Sequence, residues 1–179
     1  MIQRSGDNIL KLINNAMTLA NLTVGEEIEK SSVDLVPVIK DVTTEFVSTF
    51  SGYDMKAEIH LPENLWVQAN PIISEIFKNF ISNAIKYAKM GRRIILAGEL
   101  EEDYITVKVK DFGDSIKKED YNRIWKRKVQ LEGDKKKRKG SGLGLAIVKQ
   151  IADAHDAKVW VEPNSPNGNI FILRIAAEK

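Results

Sequence analysis

Two asparagines, Asn79 and Asn83, stand four residues apart in the stretch EIFKNFISNAIKYAK, and Lys86 and Tyr87 follow one turn later. On a helix, residues four apart stack on one face. Two stacked carboxamide oxygens can serve a hard cation such as Mg²⁺, whose octahedron is usually completed by phosphate oxygens and water. Lysine adds a point charge for phosphate, and tyrosine adds a flat surface for a base. The same four residues also fit a solvated polar face with no task, so the pair alone decides nothing.

A second group lies in GSGLGLAIVKQIADAHDA, where Gly140, Gly142 and Gly144 precede an apolar helix. Glycines let backbone N–H groups approach phosphate, and a helix N-terminus attracts an anion. No Lys-Ser or Lys-Thr follows the last glycine, so this is not a Walker loop. An ordinary loop before a core helix has the same composition. A third candidate is Asp111 in ITVKVKDFGDSI. A carboxylate at a strand end can accept a hydrogen bond from an adenine amino group, and Gly113 lets the backbone pass close to the base. A plain Asp-Gly turn is the simpler reading.

The triplet Asp111-Phe112-Gly113 is also the metal-binding triplet of eukaryotic-type protein kinases. Such a kinase carries a glycine-rich loop, a lysine strand and a His-Arg-Asp loop upstream of that triplet. Here the glycine loop comes after Asp111, and the one upstream histidine, His60, is followed by Leu61-Pro62. The context excludes that reading.

The elements that must carry these residues are legible as patterns. Residues 2–22 place Ile2, Ile9, Leu10, Ile13, Met17 and Ala20 at helical spacing, and a polar hinge, Thr23 to Ser32, follows. Pro37 is expected at a first helical position, with one stripe of Val38, Ile39, Val42, Phe46 and Phe50 running to about Gly52. Lys56–Leu61 and Leu65–Ala69 are expected strands. Asn70-Pro71 is an expected cap and helix start, with the helix continuing to about Lys89. Residues 92–99 and 103–110 form an expected strand pair. Leu143–Ala154 is an expected helix, and 158–162 and 169–176 are expected strands closing the domain. Helices and strands alternate without regular βαβ repetition, which predicts an α/β (α+β) two-layer sandwich with a mixed sheet.

With 179 residues, 43% apolar and 29% charged, the chain can build a domain core, and its net charge of +2 is too small for a general nucleic-acid binder. It has no cysteine, which excludes disulfides and thiolate metal sites. No apolar run is long enough to cross a bilayer and no signal peptide is visible, so the expected location of this stretch is the cytoplasm, whether or not a longer parent is membrane-anchored. Five consecutive basic residues, Lys135 to Lys139, fit a nucleic-acid contact, a solvated loop, or a lid over a triphosphate; their place against the glycine loop favours the lid.

Taken in order, these pieces resemble the ATP-binding catalytic domain of sensor histidine kinases, in the superfamily shared with gyrase, heat-shock chaperone and mismatch-repair ATPases. Asn79 to Tyr87 resemble the N box of that family, Asp111 to Ile116 its G1 box, and Gly140, Ser141, Gly142, Leu143, Gly144 and Leu145 its G2 box. Trp125 occupies the place of its F box. The resemblance runs from about Val33 to the C-terminus and implies a mainly antiparallel sheet covered on one face by about three helices. It implies ATP or ADP with Mg²⁺ as ligands, Asn79 and Asn83 at the metal, and Asn79, Asn83 and Lys86 in catalysis. Tyr87, Asp111, Gly113, Ile116 and the residues of the glycine loop would complete the nucleotide site. Residues 1–24 resemble the second helix of the family's dimerisation and phosphoacceptor hairpin, with 25–32 as linker and 33–179 as catalytic domain. The implied activity is phosphoryl transfer from ATP to a histidine of that hairpin, whose first helix is not in this chain. A response regulator is the implied partner, dimerisation is expected only of the full-length parent, and no nucleic acid is implied. The alternative is a degenerate, non-catalytic nucleotide-binding or protein-docking module.

The departures from the family pattern carry expectations too. Asn70 stands where aspartate is frequent, Ala157 where glycine is, and Lys128 where a second F-box aromatic is common. Ser115 stands where G1 usually has its second glycine. If that backbone needs a positive φ, serine costs on the order of 1 kcal/mol there, and Ser115→Gly is expected to tighten ATP binding; if the loop has instead adapted, with Asp114-Ser115 making a side-chain-stabilised turn of its own, the glycine variant binds no better.

Overall fold

A computed structural model of the chain describes residues 28–87, 92–126 and 142–179. The expected N-terminal helix, the Lys135 to Lys139 run, Lys128, Gly140 and Ser141 lie outside the described residues.

The described chain opens with β1 (Ser31–Asp34), so Ser31 and Ser32, expected in the linker, already pair with Ala69 and Gln68 of β3 (Trp66–Ala69). Asp34 caps α1 (Leu35–Glu45). Its carboxylate accepts from Val36 N at 3.0 Å and from Leu65 N at 2.8 Å. The helix therefore starts two residues before Pro37. Proline is tolerated there because the first N–H groups of a helix have no intrahelical partner. The single expected stripe to Gly52 is broken at Phe46 into α1 and α2 (Val47–Gly52). The cause is local. Thr43 and Thr44 return their hydroxyls to Ile39 O and Lys40 O, a back-bonding that bends helices, and paired β-branched residues weaken the turn.

β2 (Lys56–His60) leads to β3, and Asn70 then caps a 3₁₀ turn, Pro71–Ile73, that runs into α3 (Ser74–Tyr87). β4 (Arg93–Leu100) and β5 (Tyr104–Asp111) form the expected antiparallel pair. After the second gap come α4 (Gly144–Ala154), β6 (Lys158–Pro163) and β7 (Asn169–Ala176). The main sheet has five strands in the order β2-β4-β5-β7-β6, parallel only between β2 and β4. This is the expected mixed, mainly antiparallel sheet with helices on one face.

Periodicity builds the core. On α3, Ile76, Phe77, Phe80, Ile81 and Ala84 are fully buried, and α4 adds Ile147, Val148, Ile151 and Ala152. On β5 every second residue, Ile105, Val107 and Val109, points inward, and β7 answers with Phe171, Leu173 and Ile175. Phe171 stacks tilted against Phe80 with centroids 5.4 Å apart and meets the edge of Trp125 at 6.5 Å. Trp125 thus fastens the segment after β5 to the core. Among the described residues, no helix is long and apolar enough to cross a membrane.

Candidate nucleotide site

The inward rows of β5 and β7 do not end in apolar residues. Counting on by two from Val109 gives Asp111, and counting back by two from Phe171 gives Asn169. The two are 0% and 1% exposed. Register makes them neighbours, because the last β5–β7 pair is Lys110 with Ile170. The Asn169 carboxamide donates to Asp111 Oδ2 at 3.2 Å and to Asp114 O at 2.9 Å, and its oxygen accepts from Ile116 N at 2.8 Å. Gly113 N donates to Asp111 Oδ1 at 3.0 Å, closing an Asx turn. Burial pushes the Asp111 carboxyl above its ordinary value, against the pull of the Gly113 and Asn169 donors. The expected Asp-Gly turn is formed, and it holds a buried carboxylate in place.

Ser115 corrects an expectation. Its backbone is not in the left-handed region, so serine carries no positive-φ strain. Its hydroxyl instead accepts from Gly168 N at 3.0 Å, in the turn between β6 and β7. Gly168, at φ 109°, is the residue that needs to be glycine, because a Cβ there would stand 2.1 Å from Asp111 O. Asn164 of the same turn donates to Asp111 O at 2.7 Å. Phe112, the aromatic of the DFG triplet, lies under the Arg93 guanidinium at 5.1 Å.

On α3, Asn79 is 8% exposed and donates from Nδ2 to Glu75 O at 2.8 Å. That bond fixes which way the amide faces and leaves Oδ1 as an oriented acceptor. A Cβ on Gly144 would stand 2.5 Å from this oxygen, so the start of α4 and the Asn79 oxygen meet without room for a side chain. Gly142 just before has φ 66°, a left-handed conformation suited to glycine. Leu143 and Leu145 are half-buried and pack against the core. Asn83, one turn beyond Asn79, is half-buried. Lys86 Nζ donates to Tyr87 OH at 2.6 Å and sits 4.4 Å over the tyrosine ring.

The structure thus gathers Asn79 with Gly144, and Asp111 with Gly113 and Ile116, while Asn83, Lys86 and Tyr87 continue along α3. Among the described residues no hydrogen bond joins the Asp111 group to Asn79 or Asn83. α3, which packs on both β5 and α4, separates and positions the two halves. Asn164, Gly168 and Asn169 were not among the residues singled out from sequence. The signal for Asn169 was available: a polar residue at the end of the inward row of an otherwise apolar strand.

The donor set suits Mg²⁺. Carboxamide oxygens are hard ligands, and the Asn79 oxygen is already oriented by the bond of its own nitrogen. No group of three or more His, Cys, Asp or Glu side chains able to hold a metal occurs among the described residues.

Residues 69–179 match the family described as histidine kinase-, DNA gyrase B-, and HSP90-like ATPase. The chain is 30% identical over 150 residues to the sensor protein VanS of Enterococcus faecium, covering 83% of this chain and 38% of that protein. It is 29% identical over 178 residues to the sensor histidine kinase YcbM of Bacillus subtilis, covering 97% and 57%. Against the two curated relatives VanS and SenX3 the chain spans 38% and 42% of their length. Among solved structures, the catalytic domain of histidine kinase ThkA, in a nucleotide-free form, superposes with a TM-score of 0.74 at 25% identity, covering 83% of this chain and 96% of that one. Full-length ShkA in complex with AMPPNP superposes at 0.82 with 23% identity, covering 98% and 37%, a likeness of fold. Box order, sheet topology and these relatives agree: the chain belongs to the histidine kinase-, DNA gyrase B- and HSP90-like ATPase family, and its relatives there are sensor histidine kinases.

Proposed function

We propose that this chain is the ATP-binding catalytic part of a two-component sensor histidine kinase. The observation that carries the proposal is the meeting of Asn79 Oδ1 with Gly144, which brings an oriented metal-ligand oxygen to the start of the helix after the glycine loop. In this reading Asp111 accepts a hydrogen bond from the exocyclic amine of adenine, and Gly113 admits the base edge. Lys86 lies on the phosphate side and neutralises charge there. Tyr87 holds the lysine and offers its ring to the nucleotide. Asn79 and Asn83 would hold Mg²⁺, which when bound neutralises phosphate oxygens.

The reaction is transfer to nitrogen. A neutral imidazole attacks the γ-phosphorus, an N–P bond forms, the bond from phosphorus to the β,γ-bridging oxygen breaks, and ADP leaves. Positioning and charge neutralisation are the protein's whole contribution. Asn79 stands where related ATPases carry a glutamate base, and an amide cannot take a proton from water at neutral pH. That favours transfer to imidazole over hydrolysis. Neither histidine of the described chain suits the acceptor role best. His155 is 4% exposed with both ring nitrogens engaged, and His60 lies beside Glu58 on edge strand β2. The acceptor is therefore a histidine of a separate hairpin helix, and the phosphoryl group passes on to a response regulator. ThkA, which shares this fold, is solved in complex with the response regulator TrrA, which supports that class of partner.

Calorimetry with ATP in the presence and absence of Mg²⁺ tests the nucleotide half. Mg²⁺ should tighten ATP binding in the wild type, and Asn83→Ala should lose that gain while keeping the fold. Equal affinity of the two proteins for Mg-ATP would remove the metal assignment. Transfer of γ-phosphate to an added hairpin tests the other half, and binding without transfer would favour the non-catalytic alternative.

A further inference from the structure

The loop from Phe112 to Ile116 belongs to no helix or strand, and the turn between β6 and β7 is what holds it. We propose that this turn and the first residue of β7, through the Gly168 amide on Ser115 and the Asn169 side chain, position Asp111 and so set the preference of the site for a purine with an exocyclic amino group. The proposal rests on the reading of Asp111 as the base-binding group.

Asn169 turns both of its amide N–H groups and its oxygen on this loop. One N–H is directed at the Asp111 carboxylate, the other reaches Asp114 O, and the oxygen takes Ile116 N. Asn164 grips the Asp111 carbonyl, and Gly168 N reaches the Ser115 hydroxyl. These contacts span 53 to 58 residues of sequence, so the loop is clasped at both ends by one distant turn. A carboxylate has about four acceptor directions. Here some are taken by Gly113 N and Asn169 Nδ2, so what remains for a ligand amine is a narrow set of directions. Hydrogen bonds weaken steeply with misalignment. A loop free to shift would keep its carboxylate and lose its aim. Ser115 and Asn169 are therefore positioning residues: they act on the base through Asp111.

The test uses the whole chain with Mg²⁺, titrated with ATP and with purine riboside triphosphate, which lacks the 6-amino group. Wild type should prefer ATP. Ser115 is exposed, so Ser115→Ala removes one acceptor without opening a cavity. It should weaken ATP binding by about threefold to tenfold and leave the analogue within about twofold, the size of one lost hydrogen bond. Ser115→Thr, which keeps the hydroxyl, should restore the preference. Asn169→Asp, which sets a second carboxylate against Asp111, should abolish it. Equal losses for both nucleotides in Ser115→Ala, or an unchanged preference, would overturn the proposal while leaving Asp111 as the base group. A wild type that does not distinguish the two nucleotides would overturn both. Should Asn169→Asp fail to fold, the serine variants still decide.

Discussion

A Cβ at position 144 would lie 2.5 Å from Oδ1 of Asn79. That distance is below any ordinary contact, and Asn79 cannot yield freely, since its amide nitrogen is tied to Glu75 O at 2.8 Å. Gly144→Ala should therefore break the Asn79–Glu75 bond. The expected cost is about 1 kcal/mol of stability and about a tenfold loss in Mg-ATP affinity. Thermal melts and calorimetry read the two effects. Wild-type affinity in this variant would mean that the Asn79 oxygen plays no part in binding.

With Asp111 as the proposed base-binding group, nucleotide binding should depend on pH. Burial holds its carboxyl above the ordinary value of 3.8 in the free protein. A donor amine from adenine favours the ionised form and pulls the value down. Between the two values binding releases a proton, and affinity rises with pH through that window before levelling. Calorimetry at a pH just above 3.8, in two buffers of different ionisation enthalpy, should show the proton release, and Asp111→Asn should abolish it. The unliganded fold obeys the opposite sign. The protonated carboxyl is the favoured form, so its contribution is full below 3.8 and is lost as pH rises through the raised value.

His155 sets a second pH dependence, in the fold itself. Its Nδ1–H donates to Ile151 O at 2.7 Å, and Nε2 accepts from Asn70 N at 3.0 Å, an arrangement open only to the neutral ring. Burial lowers its pKa, with Lys30 acting in the same direction and Asp156 against it. A depressed value means that the stabilisation is complete above 6.5 and is lost as pH falls through the folded-state value. Melting temperature should be flat above about pH 6.5 and decline on acidification. His155→Gln, which keeps an acceptor for Asn70 N, should be less stable at neutral pH by about 1–2 kcal/mol and lack that slope below 6.5. Parallel profiles for the two proteins would exclude His155 as the source.

The sequence carried most of the sheet and the two helices of the site, because alternation in β5 and β7 and the apolar stripe of α3 each have one strong period. It did not carry the break at Phe46, which depends on two threonines returning their hydroxyls to the backbone. The strain expected at Ser115 came from the family pattern. It failed because the loop turns without a positive φ and gives the serine hydroxyl to a turn 53 residues away. Long-range bonds of that kind leave no periodic trace. Asn70 was legible as a cap, since it precedes proline and accepts from Ile72 N. Its other half, the amide that donates to Glu29 O, was not.

That amide has a mechanical consequence. Asn70 is the joint between β3 and the turn that begins α3, and it grips the incoming chain at Glu29 while Lys30 is pinned to Asp156 beyond α4. β1 then runs alongside β3, and Glu178 ties Ser32 and Gln68 together from the far end of the chain. Residue 29 and β1 are therefore coupled through β3 to the root of the helix that bears Asn79. The two halves of the candidate site are thus rooted differently, Asn79 in the helix that starts at the joint gripping Glu29, and Asp111 at the end of β5, held from β7.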